Sequence, residues 1–143
     1  MGDQAKGQDP FVRLRQAGFR LTAPRLQAAR LFERSGRWMS PQELHQEAAE
    51  RGARVGLTTV YRMLEAMASV GLAKRYAQEG RAYRYVFCRP SHHHHLICRA
   101  CGRVQDIDEC SVLPPPRQDF HVEAHALDFF GLCQACYEGG MNL

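Results

Sequence analysis

The chain has 143 residues, 45% hydrophobic and 24% charged, which fits a folded globular protein of one ordinary domain or two small ones and excludes a disordered chain. Its longest apolar run, Ala126 to Cys133, is broken by Asp128 and falls far short of the ~20 residues a membrane helix needs; the opening MGDQAKGQDP has no hydrophobic core of the signal-peptide kind, so a cytoplasmic protein with no membrane partner is expected. The net charge of +4 is uneven: residues 1–88 carry 15 Lys/Arg against 8 Asp/Glu and residues 89–143 carry 4 against 7, a pattern either of one half that meets a polyanion and another with a different task or of ordinary solubilising charge.

In chain order, PFVRLRQAG places Phe11, Leu14 and Ala17 at helical spacing, with Gly18 as a stop. Thr22 can cap the next helix, Pro24 sits early in it, and Leu26, Ala29 and Phe32 form its apolar stripe up to RSG. SPQE supplies Ser40 as cap, Pro41 at the first helical position and Glu43 as the reciprocal capping-box residue. Leu44 and Ala48 then face inward until Gly52. In LTTVYRMLEAMASVGL, Thr58 is the expected cap, with Val60, Leu64 and Met67 on one face. After Gly71 the pattern shortens to AKRYA and RAYRYVF around QEG, with Tyr83, Tyr85 and Phe87 on one side at period two. Short helices followed by a hairpin describe a winged helix-turn-helix over residues 1–88, with the helix from Thr58 entering the major groove of double-stranded DNA.

The outward positions of that helix suit the role. Thr59 and Tyr61 offer a hydroxyl and an aromatic edge for a thymine methyl, and Arg62 reaches a guanine edge or a phosphate. Arg20, Arg25, Lys74, Arg75 and Arg81 are candidate phosphate contacts, with Arg20 close enough to a flexible arm to reach a minor groove. Taken singly, Tyr61 reads as a core aromatic and Arg62 as a solvated surface charge; the helix pattern and the charge split together favour DNA.

Residues 89–143 read as a metal domain. Cys98-x-x-Cys101 and Cys133-x-x-Cys136 are two pairs 31 residues apart, and two such pairs complete a closed four-thiolate site for a structural Zn2+. A redox disulfide and an iron–sulfur cluster are the alternatives. The histidines at 92–95 differ: on a strand His92 and His94 point to one face and His93 and His95 to the other, so alternation predicts two sites. Imidazoles suit zinc, iron, nickel or copper, and an internal run of four is unlike a terminal purification tag; a histidine-rich loop with no specific ion is the alternative. Cys88, four residues before His92, either joins the His93/His95 face as a thiolate or is a buried apolar cysteine at a strand end.

The segments GFRLTAPR (18–25), LTTVYRML (57–64), HHHHLICRACG (92–102) and HALDFFGLC (125–133) together resemble the ferric uptake regulator family, in the family's order and over roughly Phe11 to Tyr137. The resemblance implies an α+β chain, with an N-terminal winged helix-turn-helix domain (1–88) and a small C-terminal α/β metal-binding dimerisation domain (89–143). It implies a homodimeric repressor that binds an AT-rich inverted repeat when loaded with a divalent metal. It places structural zinc on Cys98, Cys101, Cys133 and Cys136, a sensor site on His93 and His95, and a third site on His92, His94 and His125. Tyr61 and Arg62 become recognition-helix contacts, and Arg20 takes the family's minor-groove position.

Departures from the pattern choose a branch. Trp38 stands where iron-type members carry a sensor histidine, and Cys88 stands where the zinc uptake regulators place a thiolate. The acidic fourth ligand of many zinc sensors aligns with Lys74, which leaves Cys88, His93 and His95. In the third site the family's glutamate aligns with Leu113, and LPPPR (113–117) replaces a helix. Asp108, Glu109 and Cys110 are candidate substitutes, with no geometric reason to choose among them. The expectation is a metal-dependent repressor responding to zinc at Cys88, His93 and His95 and controlling metal-uptake genes. The alternatives are an iron, manganese or peroxide regulator of the same family and, from another class, a zinc store or chaperone. No HExxH or HxE…PCxxC arrangement of a catalytic zinc is present, so no enzyme is expected.

Overall fold

The computed structural model describes residues 9–140, which divide into two compact units after Ser91. Residues 1–8, most of the opening read above for a leader, lie outside the described residues. The fold is α+β. The first unit runs α1 (Val12–Gln16), α2 (Ala23–Arg34), α3 (Pro41–Glu50) and α4 (Leu57–Ser69), followed by an antiparallel hairpin of β1 (Ala73–Gln78) and β2 (Arg81–Phe87). Met39 forms a further bridge to Tyr85, through Met39 N–H to the Tyr85 carbonyl (3.0 Å) and Tyr85 N–H to the Met39 carbonyl (2.8 Å). Helices followed by a wing make this unit a winged helix.

The helix ends show why these residues stop where they do. Ser40 Oγ accepts from the Glu43 N–H (3.1 Å), as the SPQE motif predicts. The Glu43 carboxylate turns instead to Arg84 (3.0 Å), joining α3 to the wing. Gly52 and Gly71 follow α3 and α4 at φ +83 and +79, a backbone region open to glycine at little cost. The next N–H groups, of Ala53 and Leu72, then reach back to the Ala48 and Met67 carbonyls (2.8 Å each), which satisfies carbonyls that the helix itself leaves open.

Three expectations change. The fourth helix starts at Leu57 with Gly56 as its cap, so Thr58 lies inside the first turn. Thr22 occupies the cap position of α2, but its side chain makes no capping bond. Tyr83 is 49% exposed while Tyr85 is buried, although both share the period-two face. The hairpin extends beyond the helical core, so its alternation loses a partner towards the tip; there the Arg75 guanidinium lies 4.5 Å over the Tyr83 ring.

The core of this unit gathers Phe11, Leu14, Phe32, Met39, Leu44, Met63, Leu64, Met67 and Leu72, all fully buried. Phe87 closes it from β2, edge-on to Phe11 and Phe32 at 6.3 and 5.9 Å between centroids.

The second unit is a three-stranded sheet in the order β4-β3-β5, made of β3 (His94–Cys98), β4 (Val104–Ile107) and β5 (Asp128–Gly131), with a short α5 (Gln134–Glu138) after it. The central strand pairs antiparallel with β4 and parallel with β5. Residues 108–127 between the outer strands contain no helix or strand. Only His94 and His95 of the histidine run belong to β3, with His92 and His93 preceding it. Among the described residues of this unit the buried non-glycine side chains are His94, His95, Ile97 and Cys98.

Candidate metal centres and nucleic-acid interface

The four cysteines of the two pairs meet at one end of the second unit, their Sγ atoms all within 4.8 Å of one another. Local backbone geometry brings this about. Cys98 ends β3, and the Gly102 N–H closes a turn onto its carbonyl (2.9 Å), which turns Cys101 back beside it. The Arg99 N–H bonds the Gly131 carbonyl (2.8 Å) and so ties this turn to the end of β5, where Cys133 caps α5 and Cys136 follows one turn on. All six cysteines are free thiols.

Their surroundings push Cys98 and Cys136 in opposite directions. Burial opposes ionisation of Cys98, but backbone N–H groups of Cys101, Cys133 and Ala100, with the Cys101 thiol, bring it down to about 6. Cys136, hydrogen-bonded to Cys133 foremost and then to its other sulfur neighbours, is pushed up to about 12. One thiolate therefore forms readily, whereas a second and third beside it need a neutralising charge. A tetrahedral dication supplies that charge, and four sulfur donors suit zinc.

The histidine run splits into two pairs. His93 and His95 bring their Nε2 atoms to 3.1 Å. His95 is buried, and its Nδ1–H donates to Asp128 Oδ1 (2.9 Å). Burial outweighs the Asp128 carboxylate and lowers the His95 pKa below 6.5. The ring is thus held neutral with Nε2 as a lone-pair donor, the state a metal requires. Asp106 Oδ1 lies 3.8 Å from the same Nε2.

On the other face, His94 Nδ1–H donates to the Leu127 carbonyl (3.0 Å), and its Nε2 faces His125 Nε2 at 3.3 Å. The His92 ring stands 4.8 Å from those of both His94 and His125. Partial desolvation, reinforced by His125 and His94, lowers the His92 pKa and favours its neutral form. A fourth donor joins this group: Cys110 Sγ lies 3.1 Å from His125 Nε2, and the donor atoms of all four residues fall within 4.8 Å of one another. The sequence left Cys110 as one of three candidates. Asp128, which orients His95, was missed; its signal is a carboxylate in HALDFFGLC whose register with His95 only the parallel pairing reveals.

Cys88 belongs to the first unit, immediately after β2. Its backbone N–H donates to the Leu72 carbonyl (2.9 Å), and its half-buried thiol points to the Val86 carbonyl (3.8 Å). On α4 the residues Val60, Met63, Leu64 and Met67 face the core, while Arg62 is exposed and Thr59 and Tyr61 are half-buried. Tyr61 is therefore not a core aromatic, and its hydroxyl accepts from Gln42 Nε2 (2.6 Å), which steadies the ring from α3. Arg20 is exposed. Arg25 donates to the Arg20 carbonyl (3.0 Å) and lies over the Phe19 ring at 5.5 Å, so it braces the turn that presents Arg20.

The sequence model of the Ferric uptake regulator family matches residues 16–129. The chain is 33% identical over 129 residues to the ferric uptake regulation protein of Legionella pneumophila, covering 86% of this chain and 95% of that protein. To the zinc uptake regulation protein of Mycobacterium tuberculosis it is 37% identical over 125 residues, covering 84% and 96%. The crystal structure of the Vibrio cholerae ferric uptake regulator aligns with a TM-score of 0.60 and 26% identity, over 87% of this chain and 100% of that chain. Iron-named and zinc-named relatives match at comparable identity, so the metal is decided by donor atoms and not by overall likeness. A winged helix followed by a cysteine- and histidine-lined sheet, matched in order along nearly its whole length, places this chain in the ferric uptake regulator family of metal-responsive transcriptional regulators, and it is a regulator and not an enzyme.

Proposed function

We propose that the chain is a zinc-responsive repressor, a cytoplasmic homodimer that binds an AT-rich inverted repeat in double-stranded DNA and controls metal-uptake genes. Cys98, Cys101, Cys133 and Cys136 hold a structural Zn2+; Cys88, His93 and His95 form the regulatory zinc site; His92, His94 and His125 belong to a third site. The outward face of α4, with Thr59, Tyr61 and Arg62, reads bases, while Arg20 and the Arg25 beside it contact the backbone and minor groove. The exposed apolar side chains Leu96, Phe129 and Phe130 on the second unit's sheet support a second copy as the partner.

The observation that carries the zinc reading is Trp38. It stands where iron-type members place a histidine, is 3% exposed, and packs on Tyr76 (6.2 Å between centroids) with the Arg84 guanidinium 5.4 Å over its ring. An indole there offers no metal donor, so the available soft ligand is the Cys88 thiol. One thiolate with two imidazoles suits zinc better than manganese or ferrous iron. Residues that bind zinc in the DNA-competent form more tightly than in the other shift the population towards it; moving it from 1:99 to 99:1 needs a preference of about 10⁴-fold.

Cys88→Ser tests this. With the four-cysteine zinc retained, the variant is expected to need at least about 10–100 times more free zinc for half-maximal DNA binding, since disturbing even a ligand's outer partner costs that much. Unchanged zinc dependence contradicts the reading. Asp106 favours a second reading. Its carboxylate, 3.8 Å from His95 Nε2, is an oxygen donor of the kind manganese and ferrous iron prefer. An iron-, manganese- or peroxide-responsive regulator would lose its response with Asp106→Ala and keep it with Cys88→Ser.

A further inference from the structure

The third histidine group has more donors than three imidazoles. Four ligand atoms converge within 4.8 Å of one another: Nε2 of His94 and His125, a ring nitrogen of His92, and Cys110 Sγ. Neither Asp108 nor Glu109 contributes to this group, although both neighbour Cys110 in sequence. The bond from His94 Nδ1–H to the Leu127 carbonyl leaves Nε2 as the donor aimed into the group. His92 precedes β3 and His94 begins it, whereas Cys110 and His125 both lie in the 108–127 stretch, which has no helix or strand and almost no burial. Apolar packing therefore does little to hold that stretch in place.

We propose that Cys110 supplies a thiolate to His92, His94 and His125, making a closed one-cysteine, three-histidine site that prefers Zn2+ over Mn2+ and Fe2+ and clasps the 108–127 stretch to β3. Binding replaces the thiol proton, which leaves to solvent, with a metal–sulfur bond. Four protein ligands fill a tetrahedron and leave no position for a substrate water, so the site is structural or regulatory and not catalytic. The sulfur donor sets its selectivity, because manganese and ferrous iron gain less from thiolate than zinc does. The inference is independent of which metal drives DNA binding, since Cys88 takes no part in it.

Cobalt substitution in the full-length protein tests it. With zinc kept in the four-cysteine site, the Cys88→Ser protein holds Cys110 as its one thiol outside that site. Added Co2+ is expected to give thiolate-to-cobalt charge transfer in the near ultraviolet and strong tetrahedral visible bands. Cys88→Ser/Cys110→Ser is expected to lose the charge-transfer band and to bind zinc at this site at least about 10–100-fold more weakly. Cys110→Asp restores four donors without sulfur, so it should bind zinc without the cobalt band and discriminate less against Mn2+. Bound cobalt without charge transfer in the Cys88→Ser protein, or identical spectra with and without Cys110, overturns the proposal. Neither result bears on the zinc dependence of DNA binding, which Cys88→Ser tests separately.

Discussion

The two units of this chain are stabilised by different means. The first buries ten large apolar side chains completely, from Phe11 to Leu72 and Val60 among them, each contributing roughly 1.5–3 kcal/mol by leaving water. In the second, the buried non-glycine side chains among the described residues are two histidines, one isoleucine and one cysteine, while Phe120, Phe129, Phe130 and Tyr137 remain exposed. A sheet with so little interior of its own is one that coordination bonds, together with a second copy over its exposed face, would define. The difference matters for function. On the proposed reading, a unit held by packing gives DNA a constant surface, and a unit held by donor atoms would have a structure that depends on metal supply.

The contrast can be broken first by chelation. Removing zinc from the four cysteines, or replacing Cys98 and Cys101 by Ser, is expected to unfold the second unit and spare the first, because structural zinc in small domains is worth about 10–16 kcal/mol. Amide hydrogen exchange read by mass spectrometry resolves the two units. Loss of protection in α2 and α4 as well would refute the separation. The reciprocal experiment is Leu64→Ala, expected to cost the first unit about 2–5 kcal/mol through lost burial and the cavity left behind. Thermal unfolding of this variant should still show zinc retained at the four cysteines.

Smaller effects sharpen the same comparison. Asp128→Asn removes the carboxylate that fixes His95 in its donor tautomer. It should weaken metal binding at His93 and His95 by about 10–100-fold, or roughly 1.4–2.7 kcal/mol, by isothermal titration, and leave the stability of the first unit unchanged. Ser40→Ala removes the acceptor for the Glu43 N–H and should cost the first unit about 1 kcal/mol in denaturant unfolding, with no change in metal affinity. An Asp128 effect confined to the first unit, or a Ser40 effect on metal binding, would show that the comparison is drawn wrongly.

Local pattern made the first unit legible. The Ser40 cap, the Pro41 start, the Gly52 stop and the apolar stripes of α2 and α4 are all written within a few residues of one another, and each has a physical reason to hold independently. The start of α4 was missed by two residues because Gly56 caps with its backbone alone and carries no side-chain signature. In the second unit, cysteine spacing and histidine alternation pointed to side chains that the structure brings close together. They could not show that Cys110 and not Asp108 or Glu109 completes one group, nor that Asp128 orients His95. Those contacts join residues 15 and 33 positions apart, and they depend on the parallel register of β3 with β5 and on the path of a stretch without regular structure. Sequence periodicity carries no information at that range.

The most direct test of the central claim is DNA binding by fluorescence anisotropy, on duplexes tiled from metal-uptake promoters, with the four-cysteine zinc retained and free Zn2+, Mn2+ and Fe2+ buffered separately. The account predicts tight, sequence-specific binding that appears with zinc at concentrations where manganese and iron have no effect. A response to manganese or iron in place of zinc would contradict it, and specific binding with no added metal would show that the histidines at 92–95 are not the switch.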